Sequence, residues 1–480
     1  MNSKGFLNIL KHTRNYFGAE VATRALAFIS IPVMTRLLTP EEYGIVNVFN
    51  SYISIFVIIF TFNTFAAVSR YYYENSDDFP SFFKTSVIIA AAAILFSSVV
   101  FHLLDHFVPD LLKMPPELSY YIVPFVVFTV ATSFYDQVYA PQKQSRKIAV
   151  RMTAQSYLGF GLSIVIILIL NDRKYLGQVY ANLVVGILFL GYYFWQLRHY
   201  FDGKFKPGFF HYIIDNAAVL IPYAISNRLL NYVDRIMINT YLGATEAGLY
   251  SFAYNIGMLL NVFSMALFRA WAPFYFELMD NSDHKKVFNN TRLIFKLMMM
   301  AAMFLIFFGK EMGMLLAKNN YYAGLGMVPV IVIGYLFNSL FFIYSWGFGY
   351  IRKPVYMSGI VLAAAIIKIS MNAVFIPVYG AIIAAWATVI AYFVMAVLAW
   401  FLVTRIRDLY SPPAGFFIIN IAIMLPFIIV YYYVGALDIL IAVVLKTVLL
   451  AIFTVVVFWS DRQEIIKFVR TLREALKSRQ

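Results

Sequence analysis

The sequence predicts an all-α polytopic membrane protein of about fourteen transmembrane helices, built as two six-helix lobes related by a pseudo-twofold, plus two C-terminal helices. Three observations predict it. The composition is far from that of soluble chains, apolar stretches of spanning length follow one another almost without interruption, and one stretch is echoed at a fixed offset.

Of 480 residues, 62% are hydrophobic and only 13% charged, whereas soluble domains are about half apolar and about a quarter charged. Cysteine is absent, which removes disulfides and thiolate metal sites. No short apolar segment ends in a small-residue cleavage site, so the first span is expected to act as its own targeting signal. The net charge of +14 fits basic cytoplasmic loops better than nucleic-acid binding.

A span needs roughly 20 mostly apolar residues. Such stretches run at about 15–38, 45–68, 82–104, 119–140, 149–170, 177–197, 214–241, 248–270, 291–316, 325–350, 356–377, 380–403, 414–434 and 438–459. Breakers separate them, among them Thr39-Pro40, Met114-Pro115-Pro116, Pro354 and Pro412-Pro413. With a cytoplasmic N-terminus, alternate loops collect Lys4, Lys11, Lys143, Arg146, Arg151, Arg352 and Lys353, among others. The outer segments hold only Arg36, Lys113, Arg173, Lys174, Lys310 and Lys318. The positive-inside bias therefore puts both termini in the cytoplasm. Residues 461–480 read as a basic cytoplasmic tail, either solvated or lying as an amphipathic helix along the inner leaflet. No connection is long enough to fold as a soluble domain, so function is expected to reside within the membrane.

The echo sets the lobes. Arg24, Leu38, Glu42 and Gly44 recur as Arg228, Leu242, Glu246 and Gly248, each 204 residues later. Six spans separate the copies, and an even number restores orientation, so the repeats are parallel. Transporters built from such repeats carry their substrate site at the repeat interface. The division is 1–203, 204–407, an added pair of spans at 408–460, and the tail.

Charge inside these spans narrows the chemistry. Glu20, Arg24, Arg228, Asp234, Arg235, Lys368 and Lys446 lie well inside, and Asp136, Arg269 and Lys296 lie nearer the cytoplasmic ends. A charge at the bilayer centre costs about 2.5–3.5 kcal/mol on insertion scales, so such residues face a bundle interior or a wet cavity. Arg269 and Lys296 are expected to snorkel, Asp136 to lie within two turns of its span boundary, and Lys446 to snorkel or form a structural pair. Glu20 and Arg24, four residues apart, share a helix face and can pair. Arg228, Asn231 and Arg235 share a face of the seventh span, and Asn47 and Asn255 add polarity to the second and eighth. The first and seventh spans carry three arginines against Glu20 and Asp234, with Lys368 adding to the excess. An excess of guanidinium in low dielectric suits an anion, and its planar fork matches phosphate oxygens.

These residues bring a family into view. The hairpin RLLTPEEYGIVNVF, the mid-chain stretch NRLLNYVDRIMINTYLGATEAGLYSFAYNI, and the basic turn IRKP followed by NAVFIPVYGAIIAA resemble oligosaccharide flippases, or polysaccharide transporters. These belong to the multidrug/oligosaccharidyl-lipid/polysaccharide (MOP) exporter superfamily, and the resemblance covers essentially the whole chain. It implies an inner-membrane flippase of two lobes, moving undecaprenyl-diphosphate-linked sugar repeats to the outer leaflet by alternating access. It implies no cofactor, energy from a Na⁺ or H⁺ gradient or the membrane potential, and a polysaccharide polymerase and chain-length machinery as partners. Carried over, the resemblance sets Arg24, Arg228 and Arg235 on the diphosphate, with Lys368 a weaker transfer. Glu20 and Asp234 are then structural partners or coupling groups.

Other classes fit less well. A multidrug exporter of organic cations calls for an acidic cavity, whereas a peptidoglycan-precursor flippase shares the anion chemistry and stays open. A membrane polymerase or transferase would be expected to carry a large outer loop, which the sequence lacks. No GxxxxGK[ST] or HExxH occurs, and the histidines fall at loops or span ends. No enzyme activity or resident metal is therefore expected. The topology is tested with single cysteines at positions 42, 246 and 480: a membrane-impermeant reagent should label the first two from outside only, and labelling of position 42 from inside would invert the assignment.

Overall fold

The computed structural model describes residues 23, 25–74, 78–108, 110–406, 409–434 and 437–459. Glu20, Arg24, Asp77 and the basic tail lie outside the described residues. Within them the chain is helical, with no strand. The helices are α1 (Ala25–Leu37), α2 (Pro40–Thr61), α3 (Ala67–Glu74), α4 (Phe79–Phe107), α5 (Ser119–Tyr139), α6 (Ser145–Ile169), α7 (Tyr175–Leu197), α8 (Phe209–Leu242), α9 (Ala244–Gly257), α10 (Leu259–Asp280), α11 (His284–Leu316), α12 (Val328–Tyr350), α13 (Val355–Tyr379), α14 (Ile382–Arg405), α15 (Ala414–Val434) and α16 (Ile439–Phe458). Thirteen helical stretches among the described residues are long and apolar enough to cross a membrane. They correspond to the second through fourteenth expected spans, and the first is described only as α1.

Local chemistry sets the helix ends. Thr39 caps α2 by accepting from the Glu42 amide, and Glu42 reaches back to the Thr39 amide at 3.0 Å, a reciprocal capping box. Pro40 follows, in the first turn where its missing N–H costs nothing. The second span was expected at 45–68, but α2 runs from Pro40 to Thr61. Phe62 and Asn63 both take left-handed backbone, with φ of 47° and 55°, and a right-handed helix cannot propagate through them. The expected eighth span, 248–270, is likewise broken between Gly257 and Leu259.

The chain forms two compact units. One gathers the described residues up to Phe252, with Met314–Gly324 and Val361–Ala387; the other comprises Ala253–Gly313, Leu325–Ile360 and the described residues from Thr388 on. In the first, α2 is the central helix, largely buried and packed against α4, α5, α7 and α8. In the second, α12 is similarly enclosed, and α10 lies along it with the Ser264 and Ser339 hydroxyls 2.9 Å apart. By contrast, α4, α6 and α16 present faces such as Leu95, Phe96, Leu168, Ile169 and Leu440 outward. Apolar surface this extensive is a lipid face. Outside the spans, the linker before α8 is tied to α4: the Lys204 and Lys206 amides donate to Ser81 and Thr85, and the Lys206 ammonium sits 2.7 Å from Asp78. That ammonium, helped by the Ser81 hydroxyl, holds the Asp78 carboxyl below its usual pKa.

The internal echo acquires a physical meaning within the first unit. A Cβ placed on Gly44 would collide with the Ala244 carbonyl oxygen, and one placed on Gly248 would collide with that of Pro40. Pro40 and Ala244 are themselves 204 residues apart, as are the two glycines. The two copies of the repeat therefore meet reciprocally, backbone on backbone, as a local twofold requires. Only residues without a side chain allow helices this close. Gly44→Ala is expected to force the helices apart at an overpacking cost of about 1–3 kcal/mol. Thermal unfolding of the detergent-purified protein should show a lowered midpoint, while Gly161→Ala, whose Cβ meets open space, should leave it unchanged.

Candidate anion and coupling site

Helix α8 carries three of the charged residues singled out by sequence, Arg228, Asp234 and Arg235, and the structure separates them by environment. Asp234 is fully buried. Its Oδ2 lies 2.6 Å from the Lys368 ammonium of α13 and accepts from the Tyr250 hydroxyl at 2.7 Å. Its Oδ1 accepts from the Asn372 amide at 2.8 Å. Lys368, equally buried, also donates to the Leu230 carbonyl at 2.6 Å. A carboxylate with three donors and an ammonium with two acceptors is how a pair survives burial. Lys368 thus departs from its expected place beside an anion: its charge is directed at Asp234 and sealed from any open surface. Tyr250 and Asn372 complete this cluster and were not singled out from sequence. Tyr250 was within the quoted mid-chain stretch, and Asn372 follows Lys368 by one helical turn.

Two further intramembrane charges are neutralised laterally. Lys446 on α16 sits 2.5 Å from Glu311 on α11, the structural pair that was one of its two expected fates. Asp136 on α5 is paired: both its oxygens lie 2.6 Å from one guanidinium nitrogen of Arg151, which is buried on α6.

Arg228 behaves differently. It is half-buried, and among the described residues it makes no hydrogen bond or ion pair. Asn231 and Arg235 follow it along the same helix face. The Arg235 guanidinium donates to the Asn231 carbonyl at 2.8 Å, and the Asn231 amide donates to the Asn227 carbonyl at 2.7 Å. Asn47 on α2 donates its side-chain amide to the Tyr43 carbonyl at 2.8 Å and is also half-buried. Asn255 lies on α9 in the second unit. One face of α8 therefore presents an uncompensated guanidinium at membrane depth, next to a carboxylate that has been fully neutralised. No group of three or more potential metal-ligating side chains occurs among the described residues.

A family model described as "Polysaccharide biosynthesis protein" matches residues 9–279, more than half of the chain and the whole of α8. The chain belongs to the polysaccharide biosynthesis protein family. Two Haemophilus influenzae relatives of this family member are an "Uncharacterized membrane protein", 22% identical over 58% of this chain and 68% of its own, and the "Lsg locus putative protein 1", 20% identical over 56% and 67%. Among solved structures the family member is similar to "Lipid II flippase MurJ, inward closed conformation", with a TM-score of 0.70, 14% identity, and 93% and 99% of the two chains covered. It is also similar to an inward-facing multidrug resistance MATE family transporter of the MOP superfamily, with a TM-score of 0.62, 14% identity, and 80% and 94% covered. At such identities the likeness establishes the fold, which these two-lobed transporters share, and with thirteen helical stretches of spanning length among the described residues the protein is a multi-pass membrane protein.

The buried pair in this polysaccharide biosynthesis protein makes a stability prediction. Lys368→Met leaves the Asp234 carboxylate uncompensated and should destabilise the protein by about 3–5 kcal/mol. The double variant Asp234→Asn/Lys368→Met should recover most of that loss, as read from thermal unfolding of the purified protein.

Proposed function

We propose that the protein is a flippase that carries an undecaprenyl-diphosphate-linked oligosaccharide repeat unit from the inner to the outer leaflet for surface polysaccharide assembly. The observation that carries this reading is the half-buried guanidinium of Arg228 at membrane depth, which has no partner among the described residues. A cation is tolerated there when its counter-charge arrives with the substrate. The diphosphate of a lipid-linked sugar brings that charge while its chain stays in the membrane, and family membership supplies the sugar. Arg228 and Arg235, with Arg24 from the first repeat, hold the diphosphate. Lys368 serves as the counter-charge of Asp234. The lobes at 1–203 and 204–407 alternate access to the two leaflets.

Transport against a gradient needs an energy input, and Asp234 with Lys368, or Glu20 beside Arg24, provides the titratable or ion-binding group that couples it to H⁺ or Na⁺. The termini lie in the cytoplasm and the membrane is the bacterial inner one, in line with the positive-inside bias. Polysaccharide polymerase and chain-length machinery are the partners on the outer side. The same anion chemistry serves a peptidoglycan lipid precursor, a reading favoured by the structural likeness to a lipid II flippase. The two readings separate by whether deletion removes surface glycan or blocks cell-wall growth.

Arg24→Ala and Arg228→Ala should each abolish surface-glycan export in a deletion strain while the protein is still inserted at the wild-type level. Arg24→Lys and Arg228→Lys should restore it only in part, since an ammonium is a point charge without the fork. Export at the wild-type rate from either alanine variant would remove the anion-site reading.

A further inference from the structure

Within the first unit, a cavity of about 440 Å³ opens between α2, α5, α6 and α7, inside the roughly 300–1,000 Å³ range of ligand sites. Its polar lining is Asn50 and Ser54 from α2, Thr129 and Thr132 from α5, Gln155 from α6 and Asn182 from α7, and no charged side chain borders it. All of these stand mid-helix in spanning segments. Among the described residues, the Asn50 and Asn182 carboxamides make no hydrogen bond. Gln155 spends only its oxygen, which accepts from Tyr193 and from Arg151, each at 3.2 Å. Tyr193 also meets the Thr132 hydroxyl at 3.1 Å, so one phenol fixes two of the lining groups. The phenyl rings of Phe125 and Phe128 form an apolar wall.

The chemistry of this lining is selective. With no base, it has no charge to match that of a phosphate; with no carboxylate, none to match that of an organic cation. The nearby Asp136–Arg151 pair cancels its own charge. A purely apolar guest would leave unspent carboxamides stranded at membrane depth, where bare polar groups are expensive. A carboxamide both donates and accepts, which matches adjacent hydroxyls of a sugar ring, whose C–H face can lie on the phenyl wall. We propose that this cavity is the glycan subsite, taking one neutral sugar ring of the lipid-linked substrate through Asn50, Gln155 and Asn182, a role that rests on the flippase reading above.

The test compares two probes on the full-length protein by native mass spectrometry in detergent: undecaprenyl diphosphate, and undecaprenyl diphosphate bearing a single N-acetylglucosamine. The wild type should bind the sugar-bearing lipid at least tenfold more tightly. Asn182→Leu should erase most of that preference and leave affinity for the bare lipid unchanged, and Arg228→Ala should weaken both. Asn50→Ala and Thr129→Ala, at exposed positions, should erode the preference in the same direction and cover the case in which Asn182→Leu fails to fold. A wild type indifferent to the sugar, variants that keep the preference, or variants that weaken both lipids equally would each overturn the subsite. In the first two of these outcomes, a sensitivity of both lipids to Arg228→Ala would keep the diphosphate reading. Binding of neither lipid would overturn both.

Discussion

The arrangement is governed by the cost of an uncompensated charge in hydrocarbon. A membrane helix can carry a lysine or aspartate only if something nearby answers it, and the described spans do this through pairs such as Asp136–Arg151, Asp234–Lys368 and Glu311–Lys446. Each pair bridges two helices, so each also fixes a helix-to-helix register. Against that background Arg228, half-buried and with no answering group among the described residues, stands apart, and the functional reading follows from it. Because α8 holds the most completely neutralised carboxylate and the unanswered guanidinium less than two turns apart, one rigid helix presents both.

The fold was largely legible in the sequence because lipid imposes a simple rule. Spans must be apolar and about as long as the bilayer is thick, so their number and order could be read directly. Boundaries were less legible where no proline or glycine marks them. The end of α2 is set by left-handed backbone at Phe62 and Asn63, which hydropathy does not register. The interruption between α9 and α10 is a single residue, Met258, inside a continuous apolar run, so hydropathy reads the two as one span.

The candidate site was legible in its charges and not in their pairing. Hydropathy identifies Lys368 and Asp234 as costly, but one sequence does not say that they meet, so Lys368 was assigned to an anion when its ammonium lies on Asp234. Glu311 passed without notice at the end of its span, although it answers Lys446. Arg151 was counted with a cytoplasmic loop and proves to be buried within α6. The neutral side chains of the cavity in the first unit were harder still. Thr129, Gln155 and Asn182 sit singly in separate spans, and none is unusual in its own segment; they form a pattern only when four helices bring them together.

The meeting of the two repeats has a mechanical consequence. At Gly44 and Gly248 the helices touch through main-chain atoms. A joint of this kind holds by close van der Waals contact, which is strong at contact and vanishes over a small separation. At the two glycines parting it requires no rotamer to turn, so the resistance there is steep but short-ranged. The joint can close again in the same register because glycine fits against carbonyl reciprocally on both sides.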